Sequence, residues 1–335
     1  MQKRKRINMK SIAKMSGVSV TTVSRVLGGS SKVNQKTYKR VMGVIKKVGY
    51  RPNALARGLS MQKTRTLGVI LPDASNTFFS KIGKAIENTV RSHGYSVFLC
   101  DTDGIVDNEI SAIKSLSERW IDGIILVAPR IDLRMLIRFS QEYEFYPIVA
   151  DRKVEGIPIP AVWVDNMGGM IQATEYLIKL GHKRIGFVAG PPDVFNAIQR
   201  LNGYKEVLKR YGIPYQEKLV FTGRFMIPDG YAAAEYFLSL KEKPTAIIAS
   251  NDLMAIGILK YLKSNGFEIP KDISLVGFDD IEISEALYPA LTTVAQPIYE
   301  IGKNAAKMML DYIETGRLVP NIVLHTHFVV RDSCR

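Results

Sequence analysis

Ile12-Ala13-Lys14-Met15-Ser16-Gly17-Val18-Ser19-Val20-Thr21-Thr22-Val23-Ser24-Arg25-Val26-Leu27 holds two short helices and the turn between them. Asn8 brings the side-chain acceptor of an N-cap, with Ser11 three residues on, so the first helix begins at Met9. Ile12, Ala13 and Met15 give it a short apolar face. Ser16-Gly17-Val18-Ser19 ends it: Gly17 tolerates a positive φ, and Ser19 offers the next cap. The second helix, Val20 to Leu27, sets Val23, Val26 and Leu27 on one face and Thr21, Thr22, Ser24 and Arg25 on the other. A third runs from an Asn34 cap to Val48. Its Val41, Val44, Ile45 and Val48 point inward, and Lys36, Lys39, Arg40, Lys46 and Lys47 stay in water. Helices joined by a Gly-bearing turn, the second showing hydroxyls and an arginine, form a helix-turn-helix pattern.

The charge distribution agrees with that pattern. The 335 residues carry 46 Lys and Arg against 32 Asp and Glu, a net charge of +14. Residues 1–65 contain 17 of the basic residues and no Asp or Glu, the first carboxylate being Asp73, so the other 270 residues net −3. So concentrated a charge repels itself unless it meets a polyanion, and nucleic acid fits better than a membrane surface. A generic three-helix bundle with a solvated basic face would not explain the missing carboxylates. Cys100 and Cys334 are too few and too far apart for a disulfide framework or a cysteine metal site. Met1-Gln2-Lys3-Arg4-Lys5-Arg6 resembles the start of an export signal, but no apolar run follows it. No stretch reaches the ~18 apolar residues of a membrane span. A cytoplasmic protein without membrane association is expected.

Residues 12–27, followed by Gly49-Tyr50-Arg51-Pro52-Asn53-Ala54-Leu55-Ala56-Arg57-Gly58-Leu59, resemble the lactose/galactose-repressor (LacI/GalR) family of transcription regulators. The match in spacing covers both blocks and continues diffusely to the C-terminus. The resemblance implies that Val20, Thr21 and Arg25 face base edges in the major groove and that Thr22, Ser24 and Asn53 bind phosphates. An arginine suits the guanine O6/N7 pair, and a Val or Thr methyl suits thymine. By the same resemblance Pro52 to Ser60 is a hinge segment, too short for a stable helix in water. It would order on DNA, with Ala56 among the DNA-binding residues and Leu59 as an apolar wedge inserted from the minor groove.

From Thr66 onward short apolar runs alternate with helix-period segments. The runs are Leu67–Leu71, Val97–Leu99, Gly123–Val127, Ile148–Ala150, Ile185–Ala189, Ala246–Ala249 and Leu275–Phe278. Such alternation means right-handed βαβ units, and their number calls for two sheets. The expected fold is an N-terminal all-α helix-turn-helix domain (residues 1–50) and a hinge and linker (51–65), then an α/β two-lobed, periplasmic-binding-protein-like domain (66–335) of two doubly wound parallel sheets. The N-lobe would take about 66–164 and 297–324, the C-lobe about 165–296 and 325–335, with crossings near Val164, Gln296 and His325.

Asp73, Asp101, Asp151, Asn251-Asp252 and Asp279-Asp280 each follow an apolar run, and open α/β sheets bind ligands outside the carboxyl ends of their strands. Of these, Asp73 reads as structural, Asp252 and Asp280 as caps, and Asp101 stays open. The family resemblance implies that Arg200, in Arg200-Leu201-Asn202-Gly203-Tyr204, clamps the ligand. It implies that Asn251 and Asp279 are the cleft amide and carboxylate, and that Phe225 is a stacking aromatic. Phe78, Phe79 and Asp151 join the candidates, although Phe79 fits a plain core position equally well. Arg152 and Arg224 would suit an acidic or phosphorylated sugar if they face the cleft, and nothing decides whether they do.

No phosphate loop, nucleophile elbow or metal-spaced histidine pair is present, so no enzyme, cofactor or metal is expected. His182 reads as structural, and His325 and His327 alternate on a strand. The expected protein is a homodimer on a palindromic operator in double-stranded DNA, controlled by a small polar, sugar-like effector. A sugar-binding module without a DNA role is disfavoured by the basic first 65 residues. A catabolite-control regulator answering to a phosphorylated carrier protein is the nearer alternative, since Gln296-Pro297-Ile298-Tyr299-Glu300-Ile301-Gly302 resembles that type. That type has an arginine before the proline of Leu287-Tyr288-Pro289, where this chain has Tyr288.

Overall fold

The structure is a computed structural model that describes residues 8–27, 33–50 and 64–335. Helix α1 (Met9–Ser16) is capped by Asn8, whose side chain accepts from Ser11 N at 3.0 Å, and Gly17 closes it at φ 62°. Helix α2 (Val20–Leu27) begins where Ser19 Oγ accepts from Thr22 N at 3.1 Å. Helix α3 (Gln35–Val48) is capped by Asn34, which accepts from Thr37 N at 2.8 Å. Ile12, Ala13, Val23, Val26, Val41 and Ile45 form the core between them. Met15 is not part of that core: it is 54% exposed, and Ser16 is buried in its place, its hydroxyl donating to Ile12 O at 2.6 Å. Met9, Ile12, Ala13 and Ser16 recur at the i, i+3, i+4, i+7 spacing that shares a helical face, and Met15 falls off that stripe.

The rest of the chain alternates strand and helix. Its first part runs β1 (Thr66–Leu71), α4 (Thr77–Arg91), β2 (Ser96–Asp101), α5 (Val106–Ser117), β3 (Gly123–Val127), α6 (Leu133–Glu142), β4 (Tyr146–Ala150) and β5 (Ala161–Val164). Then come α7 (Asn166–Lys179), β6 (Ile185–Ala189), α8 (Phe195–Arg210), β7 (Val220–Thr222), α9 (Ile227–Ser239), β8 (Ala246–Ala249), α10 (Asp252–Ser264) and β9 (Ser274–Asp279). The end runs α11 (Ile283–Ala286), β10 (Thr292–Ala295), α12 (Ile298–Thr315), β11 (Ile322–Leu324) and β12 (His327–Val329).

Two six-stranded sheets result. One has the order β11-β5-β4-β3-β1-β2 and is parallel throughout. The other has the order β12-β10-β9-β8-β6-β7, with only the β10–β12 pair antiparallel. Each is covered on both faces, as parallel sheets require. In β1, Leu67, Val69 and Leu71 meet α4 and α12, while Ile70 meets the layer of α5 and α6. In the second sheet α7 and α8 cover one face, and α9 and α10 the other. The chain passes between the sheets three times: from β5 into α7, from β10 into α12 and from β11 into β12. We call the two halves the N-lobe and the C-lobe. Because parallel strands aim their carboxyl ends one way, polar residues just after β4, β8, β9 and β10 gather at the boundary between the lobes.

Candidate functional site

Arg200 sits at the centre of that boundary. It lies on α8, is 4% exposed, and its Nε donates to Asn166 Oδ1 at 2.8 Å while Nη1 donates to Ser250 O. Nη1 also stands 3.5 Å from Asp279 Oδ1, and the guanidinium lies over the Phe278 ring, 3.9 Å from its centre, with Phe225 at 6.0 Å. Gln296 Nε2 donates to the same Asp279 oxygen at 2.7 Å. The N-lobe contributes Asp151, directly after β4, whose main-chain oxygen accepts from Asn196 Nδ2 at 2.9 Å. Asn196 stands one turn before Arg200 on α8, so the two side chains share a face. At the rim Arg130 of the N-lobe pairs with Asp193 of the C-lobe.

The remaining candidates divide. Phe225 is half-buried over Gly190, where any Cβ would collide with its ring, and Asn251 Nδ2 holds the Phe225 carbonyl at 2.9 Å. The other end of Asn251 caps α10 by accepting from Met254 N at 3.0 Å, so one amide proton and one oxygen lone pair are used by the protein. Phe78 is 4% exposed and belongs to the N-lobe core, with Phe79 half-buried beside it at a ring separation of 5.2 Å. That core includes Ile281 of the C-lobe, so Phe78 forms an apolar wall between lobes and not a polar contact.

The other strand-end carboxylates are structural. Asp73 accepts from Ser75 N at 2.8 Å, Asp101 accepts from Ala74 N at 2.7 Å, and Asp280 pairs with Arg331 at 2.8 Å. Asp252 is buried and accepts from Ile281 N, Ser284 Oγ and Thr293 Oγ1 at 2.9, 2.7 and 2.6 Å. His182 bridges Thr245 and Ser274. Arg152 turns from the cleft to the carbonyls of Pro129 and Ile131, and the Arg224 side chain is 82% exposed beside Asp229. Sequence reading missed Asn166, Asn196, Ser250 and Gln296. Only Asn196, four residues before Arg200, had a spacing that could have revealed it.

Burial dominates the electrostatics here. It pushes the Asp151 carboxyl up to about 7, against the opposing pull of Arg200 and Asn196. It also raises Asp279 despite Arg200 beside it, with the Asp252 charge adding to the rise. Arg200 is lowered by burial but held up by Asp279, Asp151 and Asp252, and an arginine stays charged.

The helical unit offers a different surface. Val20, Thr21 and Arg25 are exposed on α2, with Thr22 and Ser24 half-buried, and Thr22 Oγ1 lies 2.9 Å from Ser19 Oγ. Lys10, Lys14, Lys36, Lys39, Arg40, Lys46 and Lys47 are all exposed, and no described residue of this unit is acidic. Asn53, Ala56 and Leu59 lie outside the described residues.

Two family models match this chain. "Bacterial regulatory proteins, lacI family" covers residues 8–53, and "Periplasmic binding proteins and sugar binding domain of LacI family" covers residues 64–332. The chain belongs to the LacI family. It is 36% identical to the HTH-type transcriptional repressor CytR of Escherichia coli (strain K12) over 98% of this chain and 96% of that one. It is 33% identical to catabolite control protein A of Priestia megaterium, over 94% and 95%. The lac repressor dimer bound to operator and the anti-inducer ONPF matches 98% of this chain and 99% of its own at a TM-score of 0.87 and 27% identity. This LacI-family chain is a DNA-binding transcription regulator, not an enzyme. None of its described helices is long and apolar enough to cross a membrane.

Proposed function

We propose that this regulator is a cytoplasmic homodimeric repressor whose affinity for a palindromic operator is set by a small polar, sugar-like effector held between its lobes. Residues 1–50 would read DNA, 51–65 would form the hinge, and 66–335 would sense the effector. The N-lobe would comprise 66–164 and 297–324, the C-lobe 165–296 and 325–335. Val20, Thr21 and Arg25 would face bases, and Thr22, Ser24 and Asn53 phosphates, with Ala56 also on the DNA and Leu59 at the minor groove. The observation that carries the reading is the Arg200 network, in which a buried C-lobe guanidinium shares a helix face with Asn196, and Asn196 holds the N-lobe's Asp151. An effector bound there favours one arrangement of the lobes over another, and any such difference in affinity shifts the population. Because the hinge precedes the N-lobe, a change in N-lobe spacing within a dimer moves both recognition helices against half-sites one DNA turn apart.

A regulator answering mainly to a protein partner has less support. Gln296, the first residue of the motif behind that alternative, turns inward to Asp279 and is 6% exposed. The test is selection of duplexes from a randomised library by the full chain, followed by anisotropy on the selected site. An inverted repeat bound at nanomolar concentration, and released or tightened by a sugar, is expected. Selection of no repeat would contradict the reading.

A further inference from the structure

We infer that the cleft takes a ligand rich in hydrogen-bond donors and free of anionic groups: a neutral polyhydroxy compound, not a sugar phosphate or sugar acid. The inference rests on the cleft being the effector site and concerns which chemistry that site accepts. Four buried side-chain atoms have no hydrogen-bond partner among the described residues: Asp151 Oδ1, Asn196 Oδ1, Ser250 Oγ and Gln296 Oε1. Their residues are 3%, 7%, 0% and 6% exposed. All four belong to or adjoin the Arg200 network; the two amide oxygens only accept, and the Asp151 oxygen does so in its ionised form. The amide orientations are fixed, since Asn196 Nδ2 donates to Asp151 O and Gln296 Nε2 to Asp279 Oδ1. Turning the Asn196 amide over would set its oxygen against the Asp151 carbonyl, and turning Gln296 over would set oxygen against the ionised Asp279 carboxylate. Buried acceptors left unmade are costly, and hydroxyls satisfy them. A phosphate or carboxylate, mostly without a proton at neutral pH, does not.

Charge points the same way. Arg200 is the only cation of the network among the described residues, and it faces Asp279 and Asp151 with Asp252 behind. Two of its nitrogens already serve Asn166 and Ser250. Arg152 is committed to two carbonyls, Arg130 to Asp193, and Arg224 lies out in solvent. Among the described residues an anion would therefore find only the remaining arm of Arg200, which Asp279 already faces, and unpartnered acceptors that it cannot satisfy. A hydroxyl pair can donate to Asp151 and accept from the remaining arm of Arg200.

The experiment uses the full chain and matched pairs: ribose and ribose 5-phosphate, glucose and glucose 6-phosphate, glucose and gluconate, adenosine and adenosine 5′-monophosphate. Thermal denaturation finds binders, and calorimetry ranks each pair. A neutral member that raises the midpoint, with its anionic twin at least about tenfold weaker, supports the inference. An anionic twin that binds as tightly or more tightly overturns it, while leaving the cleft reading intact if Arg200→Lys weakens that binding too. Should no pair shift the midpoint, the cleft reading loses support, and Asp151→Asn decides the inference on the unliganded protein. That change removes an unpartnered buried acceptor and supplies donors, so a midpoint raised at pH 8 supports acceptor excess, and one unchanged or lowered at pH 8 overturns it.

Discussion

Asp151, Phe225 and Asp279 hold φ angles of 57°, 69° and 118°, a region that side chains other than glycine rarely adopt. All three stand just past or at the end of a strand, around Arg200. Backbone strain of this kind persists where surrounding structure over-determines it, and it clusters at binding sites. Here Asn251 grips the Phe225 carbonyl, and Gln296 grips the Asp279 carboxylate. Asp151 gives the first prediction. Its carboxyl titrates near ~3.9 in an unfolded chain and at about 7 in the fold. The folded state thus binds the proton more tightly. Its contribution to stability is fully present below about pH 4 and is lost as pH rises through about 7. Asp151→Asn therefore stabilises the unliganded protein at pH 8, and the gain vanishes toward pH 4. A gain that does not vary with pH in thermal denaturation would contradict this account of the burial. Arg25, exposed on the outer face of α2, gives the second. Arg25→Ala costs about 1–3 kcal/mol on the selected operator and little on random DNA. Equal losses on both in anisotropy would reduce Arg25 to a phosphate contact.

At the scale of the elements, capping decides where the helical unit begins and ends. Asn34 satisfies one of the open amides at the start of α3. Asn34→Ala lowers the local stability of α3 by about 1 kcal/mol, read as faster amide hydrogen exchange confined to residues 35–48. Unchanged exchange would mean that the cap contributes nothing. The same signals made these helices legible: Asn8, Gly17, Ser19 and Asn34 mark boundaries that the structure reproduces. Six of the eight central strands and the edge strand β2 were legible as apolar runs, because a parallel sheet covered on both faces needs them. The central β5 and β10 and the other three edge strands were not. β7, β11 and β12 have only three residues each and stay partly exposed, so no run or alternation develops. Helix α12 was passed over as a crossing, although Ile298, Ile301, Ala305, Met308 and Met309 recur at helical spacing. Within the site, Asp151 and Asp279 were visible as charges ending apolar runs, a mark shared with Asp73, Asp101, Asp252 and Asp280, and the family resemblance singled out Asp279. Ser250 and Gln296 were not, since neutral polar residues leave no such mark.

For the whole molecule, the division of charge is the simplest physical fact: 17 basic residues and no acidic ones in residues 1–65, and a slightly acidic remainder. A dimer doubles that charge and releases counterions as it neutralises phosphates. The slope of log K against log salt for operator binding is accordingly steep, roughly −5 or beyond. A slope near zero would contradict DNA binding through this basic segment.

The central claim is that one buried guanidinium couples effector to DNA. Arg200→Lys keeps the charge beside Asp279 but loses the fork that serves Asn166 and Ser250 together. Operator affinity is measured by anisotropy for both proteins, with and without the neutral ligand that stabilises the native chain. The wild-type protein should change its operator affinity when that ligand is added. The variant should hold the operator with near wild-type affinity while needing at least about tenfold more ligand to respond. A variant that responds at the wild-type ligand concentration would contradict the claim.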